Sequence, residues 1–123
     1  MNTRWLFIFH QTPVEGGLTE EALDLLLVAA SFELELQVLF VGDGVWHLTK
    51  PDSFAAAFPE SKPPSYIKTF KALPDFELDD LFVLQTSLCE RQLKSTELGV
   101  AAEVIDTNAL RSLLQLADKV FHF

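Results

Sequence analysis

Strand-length apolar runs alternate with segments of helical length along this chain, and that alternation leaves few folds open. Trp5 to His10, Leu34 to Val41, Leu81 to Gln85, Ala101 to Ile105 and Lys119 to Phe123 read as strands. Thr19 to Phe32, a region from about Phe54 to Leu73, a short stretch after Gln85 and Asn108 to Leu116 read as helices. Crossovers of helical length between strands imply parallel pairing. The expected fold is therefore α/β, a three-layer sandwich with a mostly parallel sheet of about five strands and helices on both faces. At 123 residues the chain is expected to form one domain spanning 1–123.

Local signals refine the elements. Gly16-Gly17 supplies a turn, Thr19 can cap the first helix, and Glu20 and Glu21 complement its positive end, so that Ala22, Leu25, Leu26, Ala29 and Ala30 should face the sheet. Lys50 to Pro64 carries four of the six prolines and reads as an irregular surface excursion. Tyr66, Ile67, Phe70 and Leu73 then fall at helical spacing, and Pro74 should stop that helix. The unbroken run Leu81-Phe82-Val83-Leu84 suits a strand buried on both faces. Ser87 followed by Glu90 has the form of a capping box, which would put Cys89 in the first turn of a new helix.

Composition narrows the functional classes. A hydrophobic share of 49% with positive mean hydropathy is high for so small a domain, and eleven Phe with two Trp point to apolar surface buried against partners. A formal charge of -9, with nine scattered Lys and Arg, argues against direct nucleic-acid binding. A lone cysteine excludes an intrachain disulfide and a multi-cysteine zinc site. The apolar run after Met1-Asn2-Thr3-Arg4 is too short for a signal or spanning segment, so a cytoplasmic protein without a membrane anchor is expected.

The candidate chemical groups are few. Cys89 in a first helical turn would have its thiolate favoured by the helix dipole, with Arg91 as a helper and the adjacent Glu90 opposing. Free cysteines otherwise serve as small hydrophobes. His10, at the carboxyl end of the first strand, either lines a pocket or bonds to backbone. His47 and His122 complete the set, with no ligand spacing between any two, so no metal and no cofactor are expected. Gly42-Asp43-Gly44 lacks a Walker lysine and reads as a turn that lets Trp46 pack. The acidic run Asp75 to Asp80 reads as a solvated loop.

Three motifs in order carry a family resemblance. Tyr66-Ile67-x-Thr69-Phe70-Lys71 with the strand and Ser87-Leu88-x-Glu90-Arg91, the turn Gly42-Asp43-Gly44-Val45-Trp46, and the ending Asp118-Lys119-Val120-Phe121-His122-Phe123 resemble the TusC/DsrF branch of the DsrE/DsrF-like sulfur-relay proteins. The resemblance implies a non-catalytic subunit that works with TusB-like and TusD-like paralogues in a dimer of heterotrimers. Such a hetero-hexamer passes persulfide sulfur toward 2-thiolation of the tRNA wobble uridine. By the register of the Ser-Leu-x-Glu-Arg motif, the sulfur-accepting cysteine of catalytic relatives falls at Leu84, and leucine accepts no sulfur. Two other expectations stand beside this one. Cys89 itself would be the acceptor of a sulfurtransferase, or the chain would be a freestanding ligand-binding or homo-oligomeric module.

Overall fold

The computed structural model describes residues 3–13, 18–32, 34–64, 67–78 and 80–123. The Gly16-Gly17 turn, Tyr66, Asp79 and the first two residues lie outside the described residues. Among those described, β1 (Arg4–Phe9), β2 (Glu35–Phe40), β3 (Leu81–Leu84), β4 (Glu103–Ile105) and β5 (Lys119–His122) form one parallel sheet in the order β4-β3-β2-β1-β5. The helices are α1 (Thr19–Ala29), α2 (Pro51–Ala57), α3 (Ile67–Ala72), α4 (Gln85–Glu90) and α5 (Thr107–Leu116).

This order dictates which helix covers which face. Right-handed crossovers from β1 to β2, β3 and β4 all step in one direction and stack their helices on one side of the sheet. The return from β4 to β5 steps the other way and carries α5 to the opposite side. The core divides accordingly. On the first side Phe7, Phe9, Val38, Phe40, Leu81 and Val83 pack under Ala22, Leu23, Leu26 and Ala29 of α1, Phe70 of α3 and Leu88 of α4. On the second, Leu6, Ile8, Leu39 and Ile105 meet Ala109, Leu110 and Leu113 of α5.

The aromatic excess goes largely into the first side. Phe9 stacks on Phe40 at 5.6 Å and meets Phe70 edge-on at 5.2 Å, while Phe121 and Phe123 of the carboxyl end lie 5.0 and 6.0 Å from Phe7. Phe7, Phe9, Phe40, Phe54 and Phe70 are buried, each stabilising by roughly 1.5–3 kcal/mol. Asp118 fixes the last strand, since the Arg4 N–H donates to its carboxylate at 2.7 Å and its own N–H donates to the Arg4 carbonyl at 2.7 Å.

Several local expectations change. The helical region from Phe54 to Leu73 is two helices, because Pro51 opens α2 at a position where a missing N–H costs nothing, and the stretch 59–64, which carries three more prolines, forms no helix. Pro74 does not end the structure. It enters a 3-10 turn, Leu73–Phe76, closed by Glu77 at φ 63°, whose buried neighbour Leu78 plugs the core within the acidic run. Thr19 is the first residue of α1 and does not cap it, and Leu23 takes the inward place expected of Leu25, which is 40% exposed. β3 is closed only on the first side, where Leu81 and Val83 are buried. Phe82 and Leu84 on the α5 side are half-buried, because one helix covers that face.

Candidate functional site

Strand β3 runs into α4 without an intervening loop, so Leu84 ends the strand and also occupies the N-cap position (φ -78°, ψ 124°). The chain leaving β3 enters the first face and the chain leaving β4 enters the second. The strand order reverses between β1 and β5, so the switch point at which open α/β sheets place ligands lies at the carboxyl ends of those two strands, and Leu84 stands apart from it, opposite Ile105 at the carboxyl ends of β3 and β4. Position 84, the expected place of the relatives' sulfur-accepting cysteine, lies there and carries a half-buried leucine.

The turn after β2 and helix α4 are bonded together beside that point. The Gly42 N–H donates to Ser87 Oγ at 2.9 Å. Arg91 Nε and Nη2 hold Asp43 Oδ1 at 3.0 and 2.9 Å, and Arg91 Nη1 donates to the Ser87 carbonyl at 3.0 Å. Gly42 sits at φ 53°, and a Cβ on Gly44 would lie 1.9 Å from the Phe9 carbonyl oxygen. Glycine is required at 44 because the turn presses directly against β1. The Gly-Asp-Gly turn therefore continues as the 3-10 helix Gly42–Leu48, burying Val45 and His47 and leaving Trp46 edge-on to Phe58 at 5.2 Å.

These contacts correct the reading of Ser87 and Cys89. Because the strand feeds straight into the helix, α4 begins at Gln85, and Ser87 bonds to Gly42 instead of capping. Cys89 is the fifth of six helical residues, near the carboxyl end of α4 and not in its first turn. The Leu93 N–H donates to the Leu88 carbonyl and the Gln92 N–H to the Cys89 carbonyl, with Gln92 at φ 55°, closing α4 as a Schellman motif. The thiol is exposed, and Arg91, its expected helper, is held on Asp43 and Ser87.

The three histidines separate by environment. His47 is fully buried, stacked on Phe70 at 4.6 Å, with Nε2 2.9 Å from the Gln11 carbonyl. A carbonyl only accepts, so Nε2 carries the proton. Desolvation lowers the pKa from 6.5 to about 4 against the opposing pull of that bond, which makes His47 a neutral structural strut near pH 7. His10 and His122 come together across β1 and β5 with rings 6.5 Å apart. They line a groove of about 270 Å³ with Ile8, Leu39, Val41, Leu110 and Leu114 on the α5 side, while the His10 N–H donates to the Phe123 carbonyl at 2.8 Å. Linear spacing could not reveal this pair, because it is the parallel pairing of β1 with β5 that sets His122 opposite Ile8, two residues before His10. Among the described residues no group of three or more His, Cys, Asp or Glu could hold a metal, and no helix is long and apolar enough to cross a membrane.

Known proteins match this chain almost end to end. The profile of the DsrE/DsrF-like family matches residues 4–123. A protein TusC homolog of Pseudomonas aeruginosa is 38% identical over 120 residues, covering 98% of both chains. Protein TusC of Escherichia fergusonii is 35% identical over 124 residues, again with 98% of both, and that of Buchnera aphidicola is 31% identical over 121 residues. In fold, the chain is similar to the crystal structure of the ychN protein from E. coli, with a TM-score of 0.76 over the whole of both chains at 18% identity.

Proposed function

The chain belongs to the DsrE/DsrF-like family, and from that premise we propose that it is a TusC-like, non-catalytic subunit of a cytoplasmic sulfur-relay complex. The observation that carries the reading is the near-complete match to TusC proteins, covering 98% of this chain at 38% identity. The complex contains TusB-like and TusD-like paralogues in a hetero-hexamer and delivers persulfide sulfur for 2-thiolation of the tRNA wobble uridine. The sulfur-carrying cysteine comes from the TusD-like chain.

The geometry supports a scaffolding role. Each family motif of this chain is engaged in holding the fold: Asp43, Ser87 and Arg91 bind the turn to α4, and Asp118 ties β5 to β1. At the carboxyl end of β3 stands Leu84, which cannot bear a persulfide. Cys89 is displaced toward the carboxyl end of a short helix.

The test is genetic and chemical. Deleting the chain should abolish 2-thiouridine in tRNA, and a Cys89→Ser chain should restore it with in vitro sulfur transfer within about a few-fold of wild type. Unchanged thiolation after deletion refutes the tRNA relay. A persulfide on Cys89 after exposure to a sulfur donor, together with loss of transfer in Cys89→Ser, would make this chain a sulfurtransferase instead.

A further inference from the structure

Helix α1 buries Ala22, Leu23, Leu26 and Ala29 against the sheet, and its exposed side carries Leu25 and Val28 among the carboxylates of Glu20, Glu21 and Asp24. Leu18, Leu25, Val28 and Phe32 follow one another at intervals of seven, three and four residues, the spacing of a single helical stripe. They are 59%, 40%, 57% and 64% exposed. At Phe32, beside Phe76, the stripe ends at a groove lined by Ala30, Leu34, Leu36 and Glu77 whose open surface is mostly polar. Exposed apolar side chains aligned in this way mark a docking surface.

Charge identifies what can occupy it. Glu21 lies within the stripe, Asp24 and Glu20 lie beside it, Glu77 lines the groove, and the α1 sequence contains no Lys or Arg. A second copy packed on this face would bring these carboxylates against their own equivalents while removing water from them, which like charges resist. A different chain with basic side chains bordering its apolar residues would satisfy both halves of the pattern.

We propose that the outer face of α1, continued by Phe32, docks a different protein chain whose apolar side chains are bordered by Lys and Arg, and not a second copy of this chain. The inference rests on the subunit reading, since the partner is one of the paralogous subunits of the relay.

The experiment co-expresses the full chain with the TusB-like and TusD-like proteins of its own genome and measures the complex by co-purification and sedimentation. Val28→Asp with Phe32→Asp should weaken association at least tenfold while leaving the circular dichroism and Tm near wild type. Leu114→Asp, on the opposite sheet face, should change it less than about twofold. Glu21→Lys with Asp24→Lys should weaken it more at low than at high salt. If wild type and the α1 variants associate equally well, the docking face is overturned and the subunit reading stands. If wild type associates with neither paralogue, the subunit reading falls and takes this assignment with it. A self-dimer of the wild-type chain, or retention on zwitterionic lipid vesicles, that Val28→Asp with Phe32→Asp abolishes would give the face to another occupant and overturn the proposal.

Discussion

Protonation of His47 should couple the stability of this fold to mildly acidic pH. The ring is fully buried against Phe70, and its pKa falls from 6.5 to about 4 because burial strips water from the charged form. An unfolded chain takes up a proton near 6.5, whereas the folded chain resists until about 4. The stability is therefore fully present above 6.5 and is lost as pH falls through that window. At about 1.36 kcal/mol per pKa unit, the whole gap sets a ceiling of roughly 3.4 kcal/mol, of which roughly 2 kcal/mol is lost between about pH 7 and about pH 5. Many carboxylates titrate over the same range, so the measurement must be a difference. His47→Gln retains an amide N–H for the Gln11 carbonyl but does not titrate. Urea unfolding of wild type and variant should give curves whose separation shrinks, or reverses in sign, by roughly 2 kcal/mol across this interval. A separation constant to within about 0.3 kcal/mol would refute the buried, neutral strut.

Gly44→Ala should destabilise by about 3 kcal/mol or more, read as a drop in urea midpoint or in soluble yield, since its Cβ would enter the Phe9 carbonyl 1.9 Å away. A near-neutral Gly44→Ala would show that the turn moves off β1 without cost. A double-mutant cycle of Arg91→Ala and Asp43→Ala should return a coupling of roughly 0.2–1 kcal/mol, as expected for a partly exposed pair, while Arg91→Ala alone should cost more because the bond to the Ser87 carbonyl also goes. The isolated chain, with a formal charge of -9, should bind tRNA no better than an acidic control protein at physiological salt. Filter binding at micromolar affinity would contradict it.

The sequence by itself determined the class of fold and the identity of its elements. Period-2 and period-3.6 patterns are local, and short apolar runs separated by helical crossovers admit little besides a parallel α/β sheet. It also determined that position 84 bears a side chain without sulfur chemistry, a matter of residue identity that folding cannot change. What only the tertiary structure decided were the relations between distant segments. Whether Ser87 caps α4 depended on β3 entering the helix without a loop and on Gly42, 45 positions earlier, arriving with a free N–H. That same entry moved Cys89 from the first turn to the last residues of α4. The rotation of α1, with Leu23 inward and Leu25 outward, was set by packing against the sheet, because a helix this rich in leucine offers more than one apolar face. His47 carries no local sign of burial beyond Val45 and Leu48. It became a strut because the turn that holds it is pinned at Gly44 against the first strand.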